Sequence, residues 1–194
     1  MLDEQLVYIN DFNLLGSNFY WHKYEVKGLS KDDITAAGLI NERVQVHSDI
    51  IRQLIAIDAE QQDMGYRLYI KEGYRSRALY EIIYKRRVEK FGQEETDRIL
   101  NMRDMPHSSG LSVDVALWNM DTNTEVYLRN GEDGTDALFV DFYKGKEDEG
   151  STHYQILQEK LINPMQVHGF RLGTKREYFH FDYKPNTPKN YPIL

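Results

Sequence analysis

Two short segments combine residue types that ordinary packing does not require. In Pro106-His107-Ser108-Ser109-Gly110-Leu111-Ser112-Val113-Asp114, a histidine precedes a glycine by three residues and an aspartate by seven. In Glu177-Tyr178-Phe179-His180-Phe181, a glutamate precedes another histidine by three. Imidazole and carboxylate suit a zinc ion, and a hydrolytic zinc site takes about three protein ligands while keeping one position open for water. His107, Asp114 and His180 can supply those ligands. Zinc lowers the pKa of its water to about 7, which makes a hydroxide-like nucleophile available at neutral pH. A further carboxylate must take the proton and pass it to a leaving amine; Glu177 is the candidate. The chain contains no cysteine, so a zinc site here uses His, Asp and Glu, and thiolate or disulfide chemistry is excluded.

A third segment, Gly73-Tyr74-Arg75-Ser76, follows an alternating stretch. An arginine at a strand end can bond a carbonyl oxygen as charge develops on it, or clamp a carboxylate. The residues alone leave both roles open beside a plain surface ion pair, which is worth little. Of the remaining histidines, His22, His47 and His153 have no partner at ligand spacing and read as helix or surface residues. His168, before Gly169, fits a helix end.

The elements that must position these groups follow from periodicity. Tyr66 to Lys71 alternates as a strand does. Ser112 to Trp118 is a second strand, with Val113, Val115 and Leu117 on one face and Asp114 and Ala116 on the other. Gly110 permits the tight turn between His107 and that strand. Glu177 to Tyr183 reads as a short aromatic strand. Because the spacing from Glu177 to His180 is odd, the two would point to opposite faces of a regular strand. They reach one site only if Glu177 sits in the turn entering the strand, or if the strand bulges.

Around these, Leu6 to Ile9 and Leu138 to Phe142 are further candidate strands, and residues 11–27 read as an irregular aromatic stretch. Ser30 and Asp33 form a capping-box pattern before a short helix. Helical spacing of Val46, Ile50, Leu54, Ile55 and Ile57 predicts a helix over 42–64, stopped by Gly65. More helices are expected over 76–91, 94–102 and 153–167, with the acidic run before the last of these in a solvated loop. Helices gathered around few strands imply an α+β domain. With no repeat or linker, residues 1–194 are taken as one domain.

The three motif segments, in this order, resemble the signatures of the D-alanyl-D-alanine dipeptidase and carboxypeptidase family of zinc peptidases. The similarity spans about Asn18 to Tyr183 and includes the early pair Asn18-Phe19. It implies a small α+β fold with an antiparallel sheet, zinc in a cleft at the sheet on His107, Asp114 and His180, Glu177 as base, and Arg75 stabilising the transition state. The dipeptidase branch implies hydrolysis of D-alanyl-D-alanine; the alternatives are a carboxypeptidase or endopeptidase acting on wall peptides, and a zinc-binding module without catalysis. That branch also uses an acid to bind the substrate amine, a role that would fall to Asp141, while Tyr24 is a candidate to line the cleft. Met105 stands where the family often has serine, Phe179 where it usually has tryptophan, and Ser76 where the dipeptidases have proline.

The totals agree with a small-peptide enzyme. A formal charge of −7 lacks the basic surface needed to neutralise phosphates, which argues against a nucleic-acid partner. No stretch approaches the roughly 20 apolar residues of a membrane span. The acidic start, MLDEQLVYIN, is unlike a secretory leader and leads to the expectation of a cytoplasmic protein, or of a mature periplasmic or secreted chain whose leader has been removed.

Overall fold

The structure, a computed structural model, describes residues 5–97, 100 and 102–184. In chain order its elements are β1 (Leu6–Tyr8), β2 (Leu15–Gly16), α1 (Phe19–Lys23), α2 (Lys31–Ala36), β3 (Gln45–His47), α3 (Ile51–Asp63) and β4 (Tyr66–Glu72). They continue with α4 (Arg77–Phe91), α5 (Gln93–Asp97), β5 (Ser112–Asn119), β6 (Thr124–Glu125), α6 (Glu149–Val167), β7 (Phe170–Leu172) and β8 (His180–Tyr183). Five strands lie in the order β2-β4-β5-β8-β7, and β6 pairs with the far end of β5. Every pairing in this sheet is antiparallel except the two-residue contact of β2 with β4. β1 and β3 form a separate antiparallel ribbon. The fold is α+β, with a small, largely antiparallel sheet and helices packed around it.

Alternation along β5 divides the molecule. Val113, Val115 and Leu117 are essentially inaccessible and join Leu54, Ile57, Leu68, Ile70, Leu161, Met165 and Phe181 in a core between the sheet and helices α3 and α6. A second cluster, built on Tyr20, Leu29, Ile34, Leu79, Tyr80, Ile83 and Met105, gathers α1, α2 and α4 around the chain that leads to His107. Asp114 lies on the other face of β5 from the Val113 row. Phe181 is fully buried; burying such a side chain contributes about 1.5–3 kcal/mol. It thereby anchors β8 while its neighbour His180 faces the opposite way.

The capping box is present, with Ser30 Oγ accepting from Asp33 N and the Asp33 carboxylate accepting from Ser30 N. Several expected boundaries move. The 42–64 stretch is not one helix: Val44 and Val46 are buried where the chain pairs with β1, and α3 starts only at Ile51. Hydrophobic spacing runs from strand into helix there without a break in pattern, so the helical period overreached. Residues 138–142 form turns rather than a strand; only single backbone bonds, Val140 N to Lys175 O and Tyr178 N to Leu138 O, tie this region to the loop before β8. α6 begins at Glu149, four residues before the expected 153, because Asp148 caps it by accepting from Ser151 N at 2.8 Å. The irregular 11–27 stretch contains the single-turn helix α1, capped by Asn18. Of the helix expected over 94–102, α5 accounts for Gln93–Asp97; Leu100 and Met102 are not helical, and residues 98, 99 and 101 lie outside the described set. Among the described residues no helix is long and apolar enough to cross a membrane.

Candidate metal centre

His107 sits in a single 3-10 turn, Pro106–Ser109. The turn is entered through Met105 at φ 39°, a left-handed conformation that costs a non-glycine residue about 1–2 kcal/mol. It is held because Met105 O accepts from both Ser108 N (2.8 Å) and Ser108 Oγ (2.6 Å). Gly110 closes the turn at φ 70°, where an added Cβ would lie 2.8 Å from His47 N. That position therefore needs glycine for both its conformation and its clearance.

The His107 ring is oriented by backbone. Its Nδ1 lies 2.8 Å from Gly73 O, and a carbonyl only accepts, so Nδ1 carries the hydrogen. Nε2, the other ring nitrogen, faces Asp114 Oδ1 at 3.5 Å. His107 N donates to Tyr80 OH at 3.0 Å, and Arg75 N donates to His107 O at 3.1 Å. The Gly73–Ser76 segment thus cradles the His107 turn.

Asp114 and His180 are directly paired across β5 and β8. His180 Nδ1 lies 2.8 Å from Asp114 Oδ1, and the two imidazole centroids are 4.9 Å apart. One ligand atom from each of His107, Asp114 and His180 can be chosen so that all lie within 4.8 Å of one another. Tetrahedral zinc with bonds of about 2.0–2.1 Å sets its ligand atoms about 3.3 Å apart, and two imidazoles plus a carboxylate are a normal donor set for it. The residues fit a metal ion of this kind.

Electrostatics support the same reading. Burial alone would raise Asp114, but the His107 charge and hydrogen bonds from both imidazoles outweigh it and hold the carboxyl far below its usual range. Burial opposes protonation of His180, yet its bonds to Asp114 and Asp182 prevail and push it up to about 10. A cation needs His180 neutral, so metal and proton compete for this ring.

Glu177 stands in the loop between β7 and β8, three residues ahead of the first residue of β8. This removes the conflict of odd spacing, since Glu177 is outside the strand. It is half-buried, and its carboxyl is raised first by burial and then by the Asp114 charge, while His180, His107 and Arg75 pull it down. Arg75 is 6% exposed. Its Nε and Nη2 donate to Glu72 Oε1 and Oε2 at 2.7 and 2.5 Å, and its guanidinium lies 4.4 Å from the Tyr80 ring centroid and 5.1 Å from that of Tyr20. Glu72, 2% exposed, is register-paired with Asp114. The side of the guanidinium is therefore committed, and the remaining N–H groups at its end are the ones available to a ligand.

The two expected substrate contacts are less integrated. Asp141 is on an exposed turn with Oδ1 3.9 Å from Lys144 Nζ. Tyr24 ends α1 and packs, partly buried, against the cluster that holds Tyr20 and Tyr80.

Three residues here were passed over in the sequence: Glu72, Asp182 and Gly173. Alternation could have found Asp182, which lies two residues after His180 and so on the same strand face. Glu72 offered a weaker signal, an acid three residues before an arginine. Gly173 offered none, since only folding brings it behind the His180 ring. A Cβ at residue 173 would lie 2.3 Å from His180 Cδ2 and 2.6 Å from Nε2. Gly173→Ala is expected to displace that ring and weaken zinc binding by about 10-fold or more, the scale seen when a ligand loses its orientation, with the fold retained. Chelator competition beside a circular dichroism melt checks this; an unchanged affinity would contradict it.

No family model and no curated protein matches the chain. Among solved structures it is similar to the LdcB LD-carboxypeptidase, whose structure is described as revealing the molecular basis of peptidoglycan recognition. The identity is 16% and the TM-score 0.48, with 72% of this chain and 59% of that one covered.

Proposed function

We propose that this protein is a zinc-dependent peptidase that hydrolyses D-amino-acid peptides of the cell-wall type. The observation that carries the reading is the convergence of three segments distant in sequence, around Arg75, His107 to Asp114 and Glu177 to His180, on one buried cluster. His107, Asp114 and His180 would hold the ion. When bound, zinc supplies Lewis acidity, polarising a carbonyl and acidifying water. Glu177 carries the proton from water to the leaving amine, a task suited to a carboxyl raised above its ordinary value. Arg75, clamped by Glu72, offers its end N–H groups to the carbonyl oxygen as negative charge grows there.

Between substrates, the poor placement of Asp141 and Met105, the described positions expected to hold an amine, favours a peptide acylated at its amino end over free D-alanyl-D-alanine. Asp141 is exposed and faces Lys144, and the buried Met105 replaces the serine of the dipeptidase branch. The wall-peptide carboxypeptidase or endopeptidase is therefore preferred to the dipeptidase. Zinc-loaded protein should release D-alanine from a muropeptide ending in D-Ala-D-Ala faster than it cleaves the free dipeptide, read by mass spectrometry. Faster cleavage of the dipeptide would restore the dipeptidase reading. Zinc binding with turnover of neither would point to a non-catalytic module.

A further inference from the structure

His180 lies between two carboxylates: its Nδ1 is 2.8 Å from Asp114 Oδ1 and its Nε2 is 3.3 Å from Asp182 Oδ1. Only Asp114 belongs to the ligand cluster. Ser112, Asp114, His180 and Asp182 form a two-by-two patch on one face of the sheet, with Ser112 opposite Asp182 and Asp114 opposite His180. Ser112 Oγ is 2.7 Å from Asp182 Oδ1 and 2.9 Å from Pro106 O, so its one proton bonds the carboxylate or the turn that carries His107. Lys184 Nζ lies 3.9 Å from Asp182 Oδ2, and Arg171 of β7 is register-paired with Asp182. Gly173 clears the space behind the pair, since a Cβ there would come within 3.1 Å of Asp182 Oδ2 as well as striking the ring.

A neutral imidazole has one N–H, and its second partner decides which nitrogen carries it. We propose that Asp182 is a positioning residue for His180: it accepts the Nε2 hydrogen and leaves the Nδ1 lone pair for the metal. His107 is set the opposite way, with Nδ1–H on Gly73 O and Nε2 facing Asp114. The two rings are thus locked as opposite tautomers by a side chain in one case and a carbonyl in the other. Such outer carboxylates fix ring direction and raise the basicity of the ligating nitrogen, and their loss typically weakens metal binding by about 10–100-fold. The inference rests on the zinc reading of the cluster.

The test uses the full chain, zinc and a competing chelator. Asp182→Ala should bind zinc about 10–100-fold more weakly than wild type, whereas His180→Ala should lose binding more completely. Asp182→Asn keeps an acceptor oxygen and should recover most of the affinity, whereas Asp182→Leu, which fills a similar space without an acceptor, should not. Nitrogen NMR of the zinc-loaded wild type should show His180 protonated at Nε2 and metal-bound at Nδ1. Unchanged affinity in Asp182→Ala, or a His180 ring bound through Nε2, would overturn the proposal while leaving the metal centre standing. Loss of zinc in Asp182→Ala as complete as in His180→Ala would make Asp182 a ligand, which also overturns it. If wild type binds no zinc, the zinc reading itself fails.

Discussion

Glu177→Ala should retain one zinc per chain and lose hydrolysis by on the order of 10²-fold or more, the contribution of a positioned general base. The first half of the expectation follows from the geometry. Glu177 is outside the cluster of mutually close ligand atoms and stands in the loop between β7 and β8. The second half follows from its surroundings. Burial and the Asp114 charge raise its carboxyl, while His107, His180 and Arg75 keep it ionisable. A carboxyl raised above its ordinary value is better suited to take a proton from water and return it to the leaving group. Turnover of the best substrate, measured at matched zinc content, decides the matter: activity within a few-fold of wild type would remove Glu177 from the mechanism.

Arg75→Ala should fail in two separable ways. If its free N–H groups meet the developing oxyanion, removing them costs roughly 3 kcal/mol, seen in kcat rather than KM. The structure adds a stability cost, because the same change strands the Glu72 carboxylate inside the sheet, where it is 2% exposed. Removing one partner of a buried ion pair typically costs about 3–5 kcal/mol. The double variant Glu72→Gln/Arg75→Ala replaces the stranded charge with an amide, so it should recover much of the melting temperature without recovering kcat. Should kcat in the single variant hold steady while KM rises, Arg75 anchors a substrate carboxylate instead. Recovery of kcat in the double variant would mean that the lost activity was only lost folding.

The same two residues mark how far the sequence was legible. The grouping of His107 with Asp114 could be read because residue types and local spacing encode it: a histidine, a glycine-dependent turn and an aspartate on the polar face of a strand whose other face is Val113, Val115 and Leu117. The odd interval from Glu177 to His180 already required either a turn before the strand or a bulge in it, and β8 begins at His180, which leaves Glu177 in the preceding loop. What stayed hidden depends on pairing across the fold. Glu72 matters because β4 brings it beside Asp114, and Ser112 matters because β8 sets Asp182 opposite it. Neither register can be inferred from one strand alone. The errors at 42–64 and 138–142 have a different origin: buried apolar residues at the ends of short elements mimic a period that belongs to no single element. Around Val140, isolated backbone bonds replace the ladder that a strand would need.

The central claim is that His107, Asp114 and His180 form one zinc centre, and metal content tests it most directly. Elemental analysis of purified, zinc-equilibrated protein should give about one zinc per chain. His107→Ala and His180→Ala, each folded by circular dichroism, should lose most of it, since a catalytic site with three protein ligands has none to spare. Full zinc occupancy in folded His180→Ala would contradict the account.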